Sequence, residues 1–132
     1  MNIQEDYVSF EVAKLLKEKG FDVPCNCYGT YNGVNLTYRL CITDKYTNWN
    51  KHTDEFIISC PTLQIVMKWF RKKYNLCIVS LPVVTDDNGE AGCLWNYMIS
   101  KKLEISHNSE NLYESPETAL NDAIKYCLEN LI

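Results

Sequence analysis

The chain is 132 residues long, 46% hydrophobic and 23% charged, with a formal net charge of −4 and a pI near 5.1. A domain of this size buries roughly two-thirds of its unfolded surface, so one core suffices, and the composition excludes a disordered or low-complexity protein. The acidic balance excludes a surface that attracts nucleic acid or anionic lipid everywhere and leaves room for a local basic patch.

The first residues, Met1-Asn2-Ile3-Gln4-Glu5-Asp6, carry neither a basic region nor an apolar run. No stretch approaches the roughly 18 consecutive apolar residues of a membrane helix, so the expectation is a cytoplasmic protein without a signal peptide or membrane contact. A first helix is predicted from Ser9, a good N-cap type, to Gly20, which suits the left-handed position just past a helix. Val8, Val12, Leu15 and Leu16 fall on its core face, and Phe21 folds back to close its end.

From Cys25 to Ile42 the chain reads as a β-hairpin about Asn32-Gly33, a pair able to take positive φ at both turn positions. A two-residue turn there sets Tyr31 opposite Val34, Gly29 opposite Leu36, Cys27 opposite Tyr38 and Cys25 opposite Leu40. The segment from Thr43 to Asp54 reads as a long connection. Its Tyr46, Trp49 and His52 make it the place to look for a binding surface, because Tyr and Trp give rigid contact area.

A second helix is predicted to begin at Pro61, whose missing N–H costs nothing in a first turn, with Leu63, Val66, Met67, Phe70 and Tyr74 inward. Ile65 and Trp69 form a second apolar stripe, expected to be covered by the first helix or, if open, to serve a homodimer. Lys68, Arg71 and Lys72 with Trp69 could contact phosphates and stack on bases, although cations near a helix C-terminus are favoured by the helix dipole alone.

The second hairpin is expected to pair Cys77–Val84 with Cys93–Ser100. An odd-length loop, with Gly89 or Gly92 at a bulge, would align Val79 with Tyr97 and Leu81 with Trp95; a two-residue Asn88-Gly89 turn would instead set Val79 opposite Met98 and Leu81 opposite Asn96. Asp86-Asp87-Asn88-Gly89-Glu90 lacks the ligand spacing of a calcium loop and is read as the turn. A short strand at Leu103–His107 follows, with His107 expected to be exposed. The last helix has Ser115 as cap, Pro116 at its first position, Glu117 at the positive dipole end, and Leu120, Ile124, Cys127, Leu128 and Leu131 in one stripe. Together these elements make an α+β single domain over residues 1–132. It has an antiparallel four- or five-stranded sheet, element order α-ββ-α-ββ(β)-α, and helices packed on one sheet face.

The segments Tyr7–Leu16, Pro61–Trp69 and Tyr113–Ile132 resemble a family of small uncharacterised proteins of gut Bacteroides-type bacteria and their phages or mobile elements. The resemblance rests on helix starts and amphipathic faces, so it implies a genomic setting and no chemistry.

Seven cysteines, an odd number in a chain without an export signal, are expected to be reduced thiols. Cys41, Cys77, Cys93 and Cys127 are expected to act as small buried hydrophobes. Cys25-x-Cys27 has the ligand type for zinc but not the usual spacing, and no metal or cofactor is expected. Cys60, His52 and Asp54 have the types of a nucleophile, base and orienting acid, but Cys60, immediately before Pro61, more simply occupies a helix-cap position. The function expected is therefore non-enzymatic: a binding or interaction protein using the aromatic segment and the second helix on a protein partner. A nucleic-acid binder using the basic face is the alternative.

Overall fold

Local capping chemistry defines all three helices of the computed structural model, which describes residues 1, 3–32, 37–85, 92–102 and 104–132. In α1 (Phe10–Glu18) the Ser9 side chain accepts the Val12 N–H. Gly20 takes φ +82°, so the Phe21 N–H reaches the Leu16 carbonyl at 2.9 Å and the Phe21 ring returns to the core. Ser115 caps α3 (Pro116–Asn130) by accepting the Thr118 N–H, with Pro116 in the first turn.

The second helix, α2 (Leu63–Tyr74), departs from expectation at its start. Its N-cap is Thr62, which accepts the Ile65 N–H, so Cys60 is not the cap it was expected to be and Pro61 lies before the helix. The preceding residues are used in extended structure: the Cys60 N–H donates to the Cys27 carbonyl at 3.0 Å, and the Pro61 carbonyl accepts the Val8 N–H at 3.0 Å. The approach to α2 is thereby stitched to the N-terminal segment on one side and to the first sheet on the other.

The fold class is α+β, but the strands form two antiparallel three-stranded sheets where one sheet was expected. In the first, β1 (Cys25–Asn32) lies between β2 (Thr37–Thr47) and a short β3 (Ile57–Ser59). In the second, β4 (Leu76–Thr85), β5 (Gly92–Lys101) and β6 (Glu104–Asn108) follow in chain order. The helices share one interior: α1 meets β3 and α3, α2 meets β4 and α3, and α3 lies across β4 and β5. Val12, Leu16, Phe70, Ile99, Ile124 and Leu128 are fully enclosed there. No helix among the described residues is long and apolar enough to cross a membrane.

Both hairpin registers correct the expectation. Asn32 pairs with Thr37, so Tyr31 lies opposite Tyr38, Gly29 opposite Leu40 and Cys27 opposite Ile42, a displacement of four residues from a two-residue turn. An even displacement keeps every side chain on its face, and this one puts Tyr38 where its ring crosses Gly29, packs on Phe10 at 4.5 Å and brings its hydroxyl 2.8 Å from the Cys60 thiol. In the second hairpin Val79 pairs with Met98 and Leu81 with Asn96, the register of a two-residue connection, not of the favoured odd loop. Leu76, Ile78, Tyr97 and Ile99 form the inward face, so Val79 and Leu81 point away from the helices. Residues 33–36, 86–91 and 103, including Gly33, Val34 and Leu36 of the first expected turn, the calcium-like sequence with Gly89, and Leu103 of the expected last strand, lie outside the described residues.

A Cβ added at Gly29 would fall inside the Tyr38 ring. Gly29→Ala is expected to destabilise the fold by about 1–3 kcal/mol through displacement of that ring, read as a lower urea midpoint. Gly29→Ala combined with Tyr38→Ala is expected to lose less than the two single changes added.

Candidate functional site

The segment expected to be a loop after Ile42 begins as strand. β2 continues to Thr47, and a bulge between Cys25 and Cys27 lets Thr47 pair with Cys25. β2 is an edge strand, hydrogen-bonded to β1 alone among the described strands. Its inward-parity face begins under α1 at Tyr38 and then runs past the helix, where Leu40 is 39% exposed and Ile42 62%; Tyr46, 68% exposed, follows beyond the register shift. Arg39, Asp44 and Lys45, also exposed, supply the charge along this edge.

The end of this strand is held by side chain to backbone bonds. A 3₁₀ turn at Trp49–Lys51 starts with the Asn48 side chain accepting the Asn50 N–H. The Trp49 indole donates to the Cys25 carbonyl at 2.9 Å and its ring packs on Tyr28 at 4.5 Å. Asn50 joins two distant segments, its Nδ2 donating to the Phe21 carbonyl and its Oδ1 accepting the Ser59 N–H, both at 2.9 Å. Trp49 is therefore a partly buried clamp that fixes the strand end. Tyr46 is exposed. His52 is exposed, and its Nδ1 accepts the Asp54 N–H at 3.1 Å.

On α2 the expected sites divide. Lys68, Arg71 and Lys72 are exposed and form no ion pair among the described residues. Trp69 is buried, edge-on to Phe21 at 5.2 Å and to Tyr74 at 5.2 Å, with the Lys73 ammonium over its ring. Its ring is thus not available to stack on a base, and the apolar stripe with half-buried Ile65 is closed by the residue that follows α1. The cause is the fold-back after Gly20, which carries Phe21 onto α2.

The cysteines form no metal or catalytic arrangement: no group of three or more His, Cys, Asp or Glu among the described residues has metal-binding geometry. Cys60 is fully buried against Tyr38, whereas His52 and Asp54 are exposed and bond to each other. Burial pushes the Cys60 thiol up to about 11, Cys27 to about 12 and Cys127 to about 12, the reverse of what a nucleophile needs. Cys127 is buried as expected and Cys41 half-buried, but Cys77 and Cys93 are exposed.

A cluster not read from the sequence lies between the second sheet and α3. Tyr113 donates to the Asp122 carboxylate, and His107, half-buried and not exposed, stacks on Tyr126 at 3.7 Å with planes 4° apart. The adjoining cleft of about 150 Å³ is lined by Tyr97, Asp122, Lys125 and Tyr126. It is smaller than the roughly 300 Å³ at which small-molecule sites begin, and Lys125 is already paired with Glu11 at 3.0 Å. Its groups complete one another. The i, i+4 spacing of Asp122 and Tyr126 was the one signal for it. A larger groove of about 440 Å³ runs beside Phe10, Lys14, Leu15 and Glu18 on α1, with Glu129 of α3 also lining it.

Comparison of the chain with models of known families, with curated proteins and with solved structures gives no match. The exposed candidate surfaces are the β2 edge with Leu40, Ile42 and Tyr46 and the cations of α2.

Two outcomes follow from the thiols. In dilute native protein Cys77 and Cys93 should be alkylated quickly, and Cys25, Cys27, Cys60 and Cys127 only on unfolding, as read by peptide mass spectrometry. Because Cys27, Cys60 and Cys127 keep their protons in the folded state to about 12, 11 and 12, against an ordinary value of 9.0, the unfolded chain deprotonates first as pH rises. This stabilisation is complete below pH 9 and is lost between about 9 and 12, so denaturant midpoints should be insensitive to these thiols at pH 7 and fall above 9.

Proposed function

We propose that the chain is a small non-enzymatic binding protein of the cytoplasm that docks an extended segment of a partner protein along β2. The observation that carries this is an eleven-residue edge strand whose Leu40, Ile42 and Tyr46 side chains stand in solvent. An open strand edge pairs with an added strand through main-chain hydrogen bonds, and alternate side chains then set specificity. Proteins often protect such an edge by shortening it or covering it with charge and bulges; here Arg39, Asp44, Lys45 and the bulge leave the large apolar groups Leu40, Ile42 and Tyr46 exposed. The clamp by Trp49 and Asn50 favours docking on a pre-formed strand, which lowers the entropy lost on binding. The resemblance to small proteins of phages and mobile elements fits an accessory role in such an element, with the partner a host or element protein.

A second reading keeps one specific observation: Lys68, Arg71 and Lys72 form no ion pair among the described residues and share one face of α2. They could contact phosphates without the stacking ring once expected of Trp69.

Selection of a displayed random-peptide library on the immobilised chain separates the two. Docking along β2 predicts enrichment of extended peptides with alternating apolar residues, weakened about tenfold or more by Ile42→Lys or Tyr46→Ala and unaffected by Lys72→Glu. The second reading predicts instead binding to DNA or RNA at low salt that falls steeply as salt rises and is lost in Lys72→Glu.

A further inference from the structure

The main chain of β2 is open along only part of its length, and the phase of its hydrogen bonds decides which part. β1 turns its odd residues to β3: the Cys27 carbonyl accepts the Cys60 N–H at 3.0 Å, and the Tyr31 N–H donates to the Phe56 carbonyl at 3.2 Å. Within an antiparallel strand the N–H and C=O of one residue point to the same side, and successive residues alternate. Tyr28, Thr30 and Asn32 therefore face β2, where their partners are Cys41, Arg39 and Thr37. The N–H and C=O groups of Tyr38, Leu40 and Ile42 point the other way, along an edge that no other described strand occupies.

Past Ile42 the edge closes on itself. The Thr43 hydroxyl accepts the Lys45 N–H at 3.3 Å and lies 3.1 Å from the Asn26 carbonyl, within the shift of register that precedes Thr47. The open main chain thus belongs to residues of the inward-parity face, where Leu40 and Ile42 are exposed, and the intervening Arg39 stands exposed on the opposite face.

We propose, on the reading that a partner docks along β2, that its docking segment runs antiparallel to Tyr38–Ile42 with apolar residues opposite Ile42 and Leu40 and an acidic residue opposite Arg39. From its N-terminus the segment reads apolar-x-apolar-acidic. Antiparallel pairing is the more stable of the two ladders, and it is the one used by every described strand pair of both sheets. In that pairing Tyr38, Leu40 and Ile42 each exchange two main-chain bonds with the residue opposite. Arg39 and Cys41 then fall at non-hydrogen-bonded positions, where facing side chains approach most closely and opposite charges attract. A lysine opposite Arg39 is repelled. A segment that continues past Ile42 meets Tyr46 through its side chain and not through a ladder.

Amide hydrogen exchange of the full chain, followed by NMR, tests this with the synthetic peptide acetyl-Ser-Ile-Thr-Val-Glu-Val-Ser-amide, whose Ile, first Val and Glu would lie opposite Ile42, Leu40 and Arg39. In the free chain the Arg39 and Cys41 amides should be protected, and those of Tyr38, Leu40 and Ile42 should exchange fast. Saturating peptide should slow these three about tenfold or more. N-methylation of the first Val, whose N–H would meet the Leu40 carbonyl, should abolish the protection, and N-methylation of the Thr, whose N–H faces away, should leave it. Replacing the peptide Glu by Lys should weaken binding about threefold, and Arg39→Glu in the chain should reverse that preference. Protection with the two N-methyl effects interchanged, or with no dependence on the charge opposite Arg39, would overturn the proposed order while docking along β2 stands. The same holds if this peptide protects nothing but peptides selected on the chain protect the three amides. Protection by neither would overturn docking along β2 and the proposal with it.

Discussion

Three helices enclose one interior, and that single demand determines what the rest of the molecule shows to solvent. α1, α2 and α3 are all committed to the shared core around Val12, Phe70, Ile99 and Ile124, and each of the two sheets contributes one face to it. The remaining faces, and the edge of β2 beyond the reach of α1, have no helix left to cover them. Large apolar side chains at Leu40, Ile42 and Tyr46 on the first sheet, and at Val79 and Leu81 on the second, are the residue of that shortage. A chain of this length could have made those positions polar at little cost to its core. That it did not is the physical basis for reading the molecule as one that binds through its strands.

The junction of the first sheet with the helices makes the exposed edge rigid. Tyr38 crosses Gly29, packs on Phe10 of α1 and touches the Cys60 thiol, which in turn approaches the Val8 carbonyl at 3.4 Å. Asn50 and Trp49 hold the far end of β2 against Ser59, Phe21 and Cys25. A strand fixed at both ends but unpaired along one edge is pre-organised to receive another, whereas a free loop would first lose conformational entropy. The thiols at this junction serve packing: burial keeps them protonated, and their neighbours are a phenol, a carbonyl and one another.

What could be read from residues alone followed the range of the interaction. Ser9, Gly20, Ser115 and Pro116 announce helix ends because capping is settled within four residues. The Ser59-Cys60-Pro61-Thr62 start was misplaced because Cys60 and Pro61 bond to Cys27 and Val8, partners far away in sequence. In β4, Leu76 to Leu81 places apolar residues on both faces, so alternation cannot say which face turns inward; α2 and α3 decide it. Tyr46, Trp49 and His52 were recognisable as a segment rich in contact groups. The division of labour among them, Tyr46 outward and Trp49 bonded to the Cys25 carbonyl, depends on how far β2 extends, and that depends on a break in its register with β1, where the extra residues lie in β2 between Ile42 and Thr47. Trp69 was legible as apolar and as neighbour to cations, but Phe21, brought over by the turn at Gly20, closes it.

The claim that binding occurs along β2 is tested most directly by a photoreactive amino acid placed at position 42 and, separately, at position 68, with crosslinking in living cells of the natural host. Docking along the strand predicts a discrete crosslinked protein from position 42 and none from position 68. Crosslinks from position 68 to nucleic acid with none from position 42 would contradict it and move the functional surface to α2.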